Sequence, residues 1–365
     1  MVGRACPNYH SDLLSMEQLD LVLGTHALRA PEINVVQFQR DIPGSDYLNA
    51  GGTLEPLRAA RLFAEGATLV FSQLQPKVPS LAQLCSSLGK AFSSRMQTNV
   101  YLTPAGSQGF PPHWDNHDVF VLQISGRKRW TIYESSYELP LRGEQFDPKT
   151  EKAGPVSQEF TLEAGDTAYV PRGLMHAAHS GDVASLHITL GLMAYTWADL
   201  LVEGVAAAAL ADASLRESLP LGFADSEFPA AEKARLVEQK VARLGTHLSA
   251  ESLFRHLSRQ LVVGHRPSCT NLISQVVGLN SLDLGSVMRC RPDVAYEFQD
   301  SPEACAMLCN GNRVELPAFV APALRFALET APFRIGELPD CVDDAGKLNL
   351  VRRLVKEGLL ECVSE

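Results

Sequence analysis

Six short β-rich runs, packed into about a hundred residues from Met96 onward, constrain the fold of this chain more than any other feature. They are NVYLTP, DVFVLQI, KRWTIY, QEFTLEAGD, TAYVPRG and ASLHITLGL, and Gly, Pro, Ser and Asp turns separate them. A strand two to three turns from its neighbour must bury one face, and many such strands close into a sandwich or barrel. The expected fold is α+β, with a double-stranded β-helix (jelly roll) at its centre. Val119 to Ile124 and Arg129 to Tyr133 flank Ser125 and Gly126, a spacing that predicts a hairpin.

Helical signals surround the β region. Ser15 with Gln18 makes a capping-box pattern, Glu55 to Phe63 reads as a helix, and Ala67 to Leu74 as a strand. Pro79 and Ser80 open a run with Leu81, Leu84, Leu88 and Phe92 at helical spacing. After Tyr195 the strands stop, and Trp197 to Ala213 and Ala230 to Val263 read as helices. The last hundred residues combine a short strand at Val314 to Pro317 with helices at Phe319 to Thr330 and Ala345 to Glu357, a winged-helix-like succession. The expected division is 1–195, 196–263 and 264–365.

Bulk properties exclude several function classes. The chain has 365 residues, 45% hydrophobic and 20% charged, as expected of two or three soluble units. Its net charge of -10 repels a phosphate backbone, and the C-terminal segment lacks the basic excess of a DNA-reading helix. Eight scattered cysteines form no CxxC pair, and the N-terminus shows no apolar signal region. A reduced, cytoplasmic protein without a membrane span is expected.

Chemistry concentrates in Pro112-His113-Trp114-Asp115-Asn116-His117-Asp118. Alternation along an extended strand puts His113 and Asp115 on one face, so an imidazole and a carboxylate sit side by side. A further histidine is offered by Gly165-Asp166, the run TAYVP, a turn at Arg172-Gly173 and then His176. Two His and one carboxylate with open positions form the facial triad of non-haem Fe(II) oxygenases, whereas zinc sites close tetrahedrally and no Cys lies nearby. His117 shares the ligand face by alternation, as a rival ligand or as a wall of the substrate pocket. Alternation also turns Lys128 away from Arg127 and Arg129 and toward the interior. Trp130 reads as core, and His179 and His187 as hydrogen-bonded structural residues.

The stretch NVYLTPAGSQGFPPHWDNHDVFVLQISGRKRW, with GDTAYVPRGLMHAAHS and the following SLHIT, resembles the JmjC-type ribosomal oxygenases, also called cupin-4 proteins. The resemblance implies a cupin core, a helical dimerisation segment and a C-terminal winged helix. It also implies an Fe(II)- and 2-oxoglutarate-dependent dioxygenase that hydroxylates an Arg or His of a ribosomal protein and works as a homodimer. His113, Asp115 and His176 match the family's iron ligands, and Lys128 the partner of the distal carboxylate of 2-oxoglutarate. Asn99 and Thr189 match positions near the co-substrate, and Gly191 stands where some relatives carry Ser. Tyr101, His117 and His187 are candidates for the substrate pocket. Two rival readings share these residues: the same chemistry on a biosynthetic peptide or small metabolite, and a metal-binding cupin scaffold without turnover.

Overall fold

The computed structural model describes residues 1–265, 270–292, 294–330 and 332–363. The chain divides into two compact units, one built on residues 1–194 and the other on residues 195–265 and 271–363.

The first unit runs α1 (Met16–Thr25), β1 (Ile33–Val36), α2 (Pro56–Ala64), β2 (Thr68–Phe71), α3 (Pro79–Phe92), β3 (Arg95–Thr103), β4 (Asp118–Ser125), β5 (Arg127–Ser136), β6 (Val156–Glu163), β7 (Thr167–Val170), β8 (Leu174–Ser180) and β9 (Ser185–Met193). Ser15 and Gln18 form the expected capping box at the start of α1, and Pro79 occupies the first turn of α3. Two antiparallel sheets result, one ordered β1-β2-β3-β9-β4-β7 and the other β6-β5-β8. Residues of both meet in one cluster, Val119, Val121, Ala168 and Val170 against Trp130 and Leu162, so the sheets are the two layers of a jelly roll. The larger sheet has a second, outer core: Ile33, Phe71, Val100, Leu122 and Ile188 pack with Leu19, Leu62 and Leu81 from the three helices.

Strand alternation sorts these faces. On β3, Met96, Thr98, Val100 and Leu102 are buried on the helix side, which leaves Asn99, Tyr101 and Thr103 for the interior of the sandwich. The expected hairpin does not form. β4 pairs with β7 and β9, and β5 with β6 and β8, so the chain passes from one sheet to the other between Ser125 and Arg127. Gly126 makes this corner with φ +67°, and a Cβ there would stand 1.9 Å from the carbonyl oxygen of Ala184. A two-residue turn between apolar runs marks a reversal of the chain. It does not say whether the second run pairs with the first or packs across from it.

The second unit holds α4 (Trp197–Ala211), α5 (Ala230–Gly245), α6 (Ala250–Gly264), α7 (Leu272–Val277), β10 (Val287–Cys290), β11 (Tyr296–Phe298), β12 (Ala304–Cys309), β13 (Asn312–Pro317), α8 (Ala321–Glu329), β14 (Phe333–Arg334), α9 (Asp344–Lys356) and β15 (Leu360–Cys362). The helical run expected from Ala230 to Val263 is two helices, because Ser249 caps a new one by accepting from the backbone N–H of Ser252. Two three-stranded sheets, β14-β10-β15 and β11-β12-β13, share an apolar core with α8 and α9. Among the described residues, no helix is long and apolar enough to cross a membrane.

Candidate metal centre and its cavity

The His-x-Asp pair lies just before β4, in an irregular extended segment rather than in the strand expected there. Backbone bonds to the second sheet hold it in place. His113 N–H donates to the His176 carbonyl (3.0 Å), His176 N–H returns a bond to His113 (2.8 Å), and Gly173 N–H donates to the Asp115 carbonyl (2.9 Å). His176 is the third residue of β8, a strand that directly follows the turn at Arg172 and Gly173. Gly173 directly precedes β8 with φ +79°, and a Cβ on it would lie 1.8 Å from the Tyr137 carbonyl oxygen, so only glycine fits.

His113, Asp115 and His176 converge. One donor atom from each lies within 4.8 Å of the others, and His176 Nε2 stands 3.8 Å from Asp115 Oδ2. Both imidazoles have a fixed tautomer. Nδ1–H of His113 donates to the Pro111 carbonyl (2.8 Å) and Nδ1–H of His176 to the Leu174 carbonyl (2.9 Å), since a carbonyl can only accept. Each Nε2 therefore carries a lone pair. Burial, and next the neighbouring His113 ring, lower the pKa of His176 and favour the neutral ring that a cation needs. Among the described residues no other group of three or more potential ligands converges in this way, and His117 is outside this one.

These residues open into a cavity of about 250 Å³ between the sheets. Its walls include Asn99 and Tyr101 of β3, Lys128 and Trp130 of β5, and His187 and Thr189 of β9. The strand register explains the grouping, because Tyr101 pairs with His187 and Asn99 with Thr189. Tyr101 stacks on His187 with ring centroids 4.8 Å apart. Burial, then the Asp115 carboxylate, push its phenol up to about 12.

Lys128 is buried between two exposed arginines, each in an ion pair: Arg127 with Asp182 (2.5 Å) and Arg129 with Glu159 (2.6 Å). Its own Nζ donates to the Thr103 hydroxyl (3.0 Å), and burial pulls its pKa down to about 7. Two more buried nitrogens of the cavity wall lack a partner, Trp130 Nε1 and His187 Nδ1. Burial, then Lys128, hold the His187 ring well below its ordinary pKa. His179, by contrast, is exposed.

The sequence reading missed Thr103 and understated Trp130, whose indole packs against His176 with centroids 5.7 Å apart. Alternation from Asn99 and Tyr101 points to Thr103; only the tertiary fold brings Lys128 to it.

Residues 71–200 match the family model described as the JmjC domain. In sequence this segment is similar to a JmjC domain. The chain is 35% identical over 209 residues to a bifunctional lysine-specific demethylase and histidyl-hydroxylase NO66 of Dictyostelium discoideum, an alignment covering 55% of this chain and 40% of the relative. It is 34% identical over 221 residues to ribosomal oxygenase 2 of Rattus norvegicus, covering 58% of this chain and 46% of the relative. The chain thus spans less than half the length of these curated relatives. In fold, 96% of this chain and 91% of the other align, at a TM-score of 0.53 and 17% identity, with YcfD, a ribosomal oxygenase from Escherichia coli, solved in complex with cobalt and 2-oxoglutarate. At that identity the likeness is one of fold, and it extends beyond the JmjC domain.

Proposed function

We propose that the chain is an Fe(II)- and 2-oxoglutarate-dependent oxygenase that hydroxylates an Arg or His side chain of a ribosomal protein. The observation that carries this reading is the pair of bare Nε2 atoms beside the Asp115 carboxylate, at the mouth of a cavity with a buried, carboxylate-free lysine. His113, Asp115 and His176 hold the metal, a donor set that suits a hard-to-borderline divalent ion and leaves one side open. Bound there, Fe(II) would let dioxygen act as the oxidant, one oxygen atom passing to 2-oxoglutarate as it becomes succinate and carbon dioxide and the other to a substrate C–H bond.

The protein's own residues bind and orient. Lys128 and Thr103 receive the distal carboxylate, and its arrival gives the buried ammonium a counter-ion. Tyr101, Asn99 and Thr189 line the same wall, and the Trp130 indole packs beside His176. The names of the relatives support a ribosomal substrate, and an acidic protein suits a basic polypeptide. Exposed apolar residues on α4 to α6, among them Trp197, Val202, Val241 and Phe254, support the dimer reading. We read the region around α8 and α9 as a winged-helix-like packing or partner-contact module rather than a DNA reader.

The test is succinate formation with Fe(II), 2-oxoglutarate and ribosomal proteins from a strain lacking the gene, alongside mass spectrometry for one added oxygen. Asp115→Ala should abolish both signals and weaken Co(II) binding at least tenfold on the order expected for a lost ligand. Full turnover in that variant would remove the site from consideration.

A further inference from the structure

His117 belongs to the cavity wall but to neither the metal cluster nor the lysine end, and its chemistry is fixed by a chain of bonds. Asn116 Nδ2 donates to the carbonyls of Arg142 and Glu144, both at 2.8 Å, which fixes the amide orientation. Its Oδ1 then faces His117 Nδ1 at 3.2 Å and can only accept. Nδ1 therefore carries the hydrogen. In the neutral ring Nε2 is then left as an acceptor, and no described residue bonds to it.

Gly191 governs access to that atom. β4 and β9 pair Val119 with Gly191, which brings the His117 ring against the glycine. A Cβ on Gly191 would stand 2.9 Å from His117 Cδ2 and 3.0 Å from Nε2. The backbone at Gly191 is not in the left-handed region, so alanine costs no strain there. A methyl would press on the imidazole, covering its acceptor edge or displacing the ring, and on the Met193 Cε at 3.2 Å, the end of a flexible side chain.

We propose that His117, kept accessible by Gly191, determines specificity by accepting a hydrogen bond from an N–H of the substrate side chain, a guanidinium or an imidazole. The proposal rests on the oxygenase reading and names the chemistry of its substrate. A side chain without an N–H leaves Nε2 unsatisfied once water is excluded, a cost of about 1–3 kcal/mol, or roughly 5- to 150-fold in binding.

The experiment uses the full chain loaded with Co(II) and 2-oxoglutarate without oxygen. The probes are N-acetyl-arginine amide, N-acetyl-histidine amide and N-acetyl-norleucine amide. Paramagnetic broadening of each probe's proton signals reports its occupancy near the metal. Wild type should favour the two N–H-bearing probes over norleucine at least about fivefold. His117→Phe and Gly191→Ala should each erase the preference, the double variant should be no worse than either single one, and His117→Gln should restore part of it. Co(II) affinity should hold within roughly a factor of two in every variant. Equal binding of norleucine by wild type, an unchanged preference in either single variant, or additive losses in the double variant would each overturn the proposal. So would a parallel fall in Co(II) affinity, which would mark His117 as a support of the metal. Absence of succinate formation by wild type would defeat the oxygenase reading alone, because probe binding is read without turnover.

Discussion

Replacing Lys128 with Met keeps the aliphatic stem and deletes the ammonium, which separates the stability of the cavity from its binding function. Burial holds the pKa of Lys128 at about 7, against 10.5 for a lysine in water. That gap corresponds to on the order of 5 kcal/mol against the charged form in the folded protein without an anion. The folded state loses this proton near pH 7 and the unfolded state only near 10.5, so unfolding takes up a proton between those values. The lysine's contribution to stability therefore rises with pH across that window, and below about 7 the penalty is present in full. Lys128→Met should raise the unfolding free energy by a few kcal/mol at about pH 6, a gain that shrinks toward pH 10. Urea titrations at several pH values measure this. The same variant should lose 2-oxoglutarate binding, because among the described residues lining the cavity Lys128 is the one lysine and there is no arginine. In wild type at about pH 8, the incoming carboxylate should restore the ammonium and draw in close to one proton, read by calorimetry in buffers of different ionisation heat. A variant less stable than wild type at pH 6, or 2-oxoglutarate affinity kept within roughly a factor of two, would refute this reasoning.

Two further substitutions test the support of the site. Gly173→Ala puts a methyl 1.8 Å from the Tyr137 carbonyl oxygen at φ +79°, so it should destabilise the protein by about 3 kcal/mol or more and weaken Co(II) binding as His176 shifts. Unchanged melting and Co(II) titrations would show that the turn is not what places His176. Trp114 faces away from the metal and donates its indole N–H to Glu151 in the β5–β6 connection. Trp114→Phe should cost about 1.5–3 kcal/mol in denaturant unfolding at neutral pH, and equal stability would show that this bond contributes nothing.

Local rules carried much of this protein. The period of two put Lys128 inside and its flanking arginines outside, and put Tyr101 and Asn99 on one face, because side chains on an extended backbone must alternate. Local chemistry also placed two helix starts: Ser15 and Gln18 cap α1 across three residues, and Pro79 opens α3 because its fixed φ suits a first turn. The ligand types in His-x-Asp and the later histidine were equally legible.

What the sequence could not decide depended on partners far along the chain. A Ser-Gly turn looks the same whether the next strand pairs or crosses, and the choice between hairpin and sheet corner lay with β7 and β9. The tautomer of His117 depends on two carbonyls 26 and 28 residues from Asn116. Thr103 meets Lys128 across 25 residues. Desolvation acts through everything that surrounds a group, so the low pKa of Lys128 exists only once two sheets have closed over it.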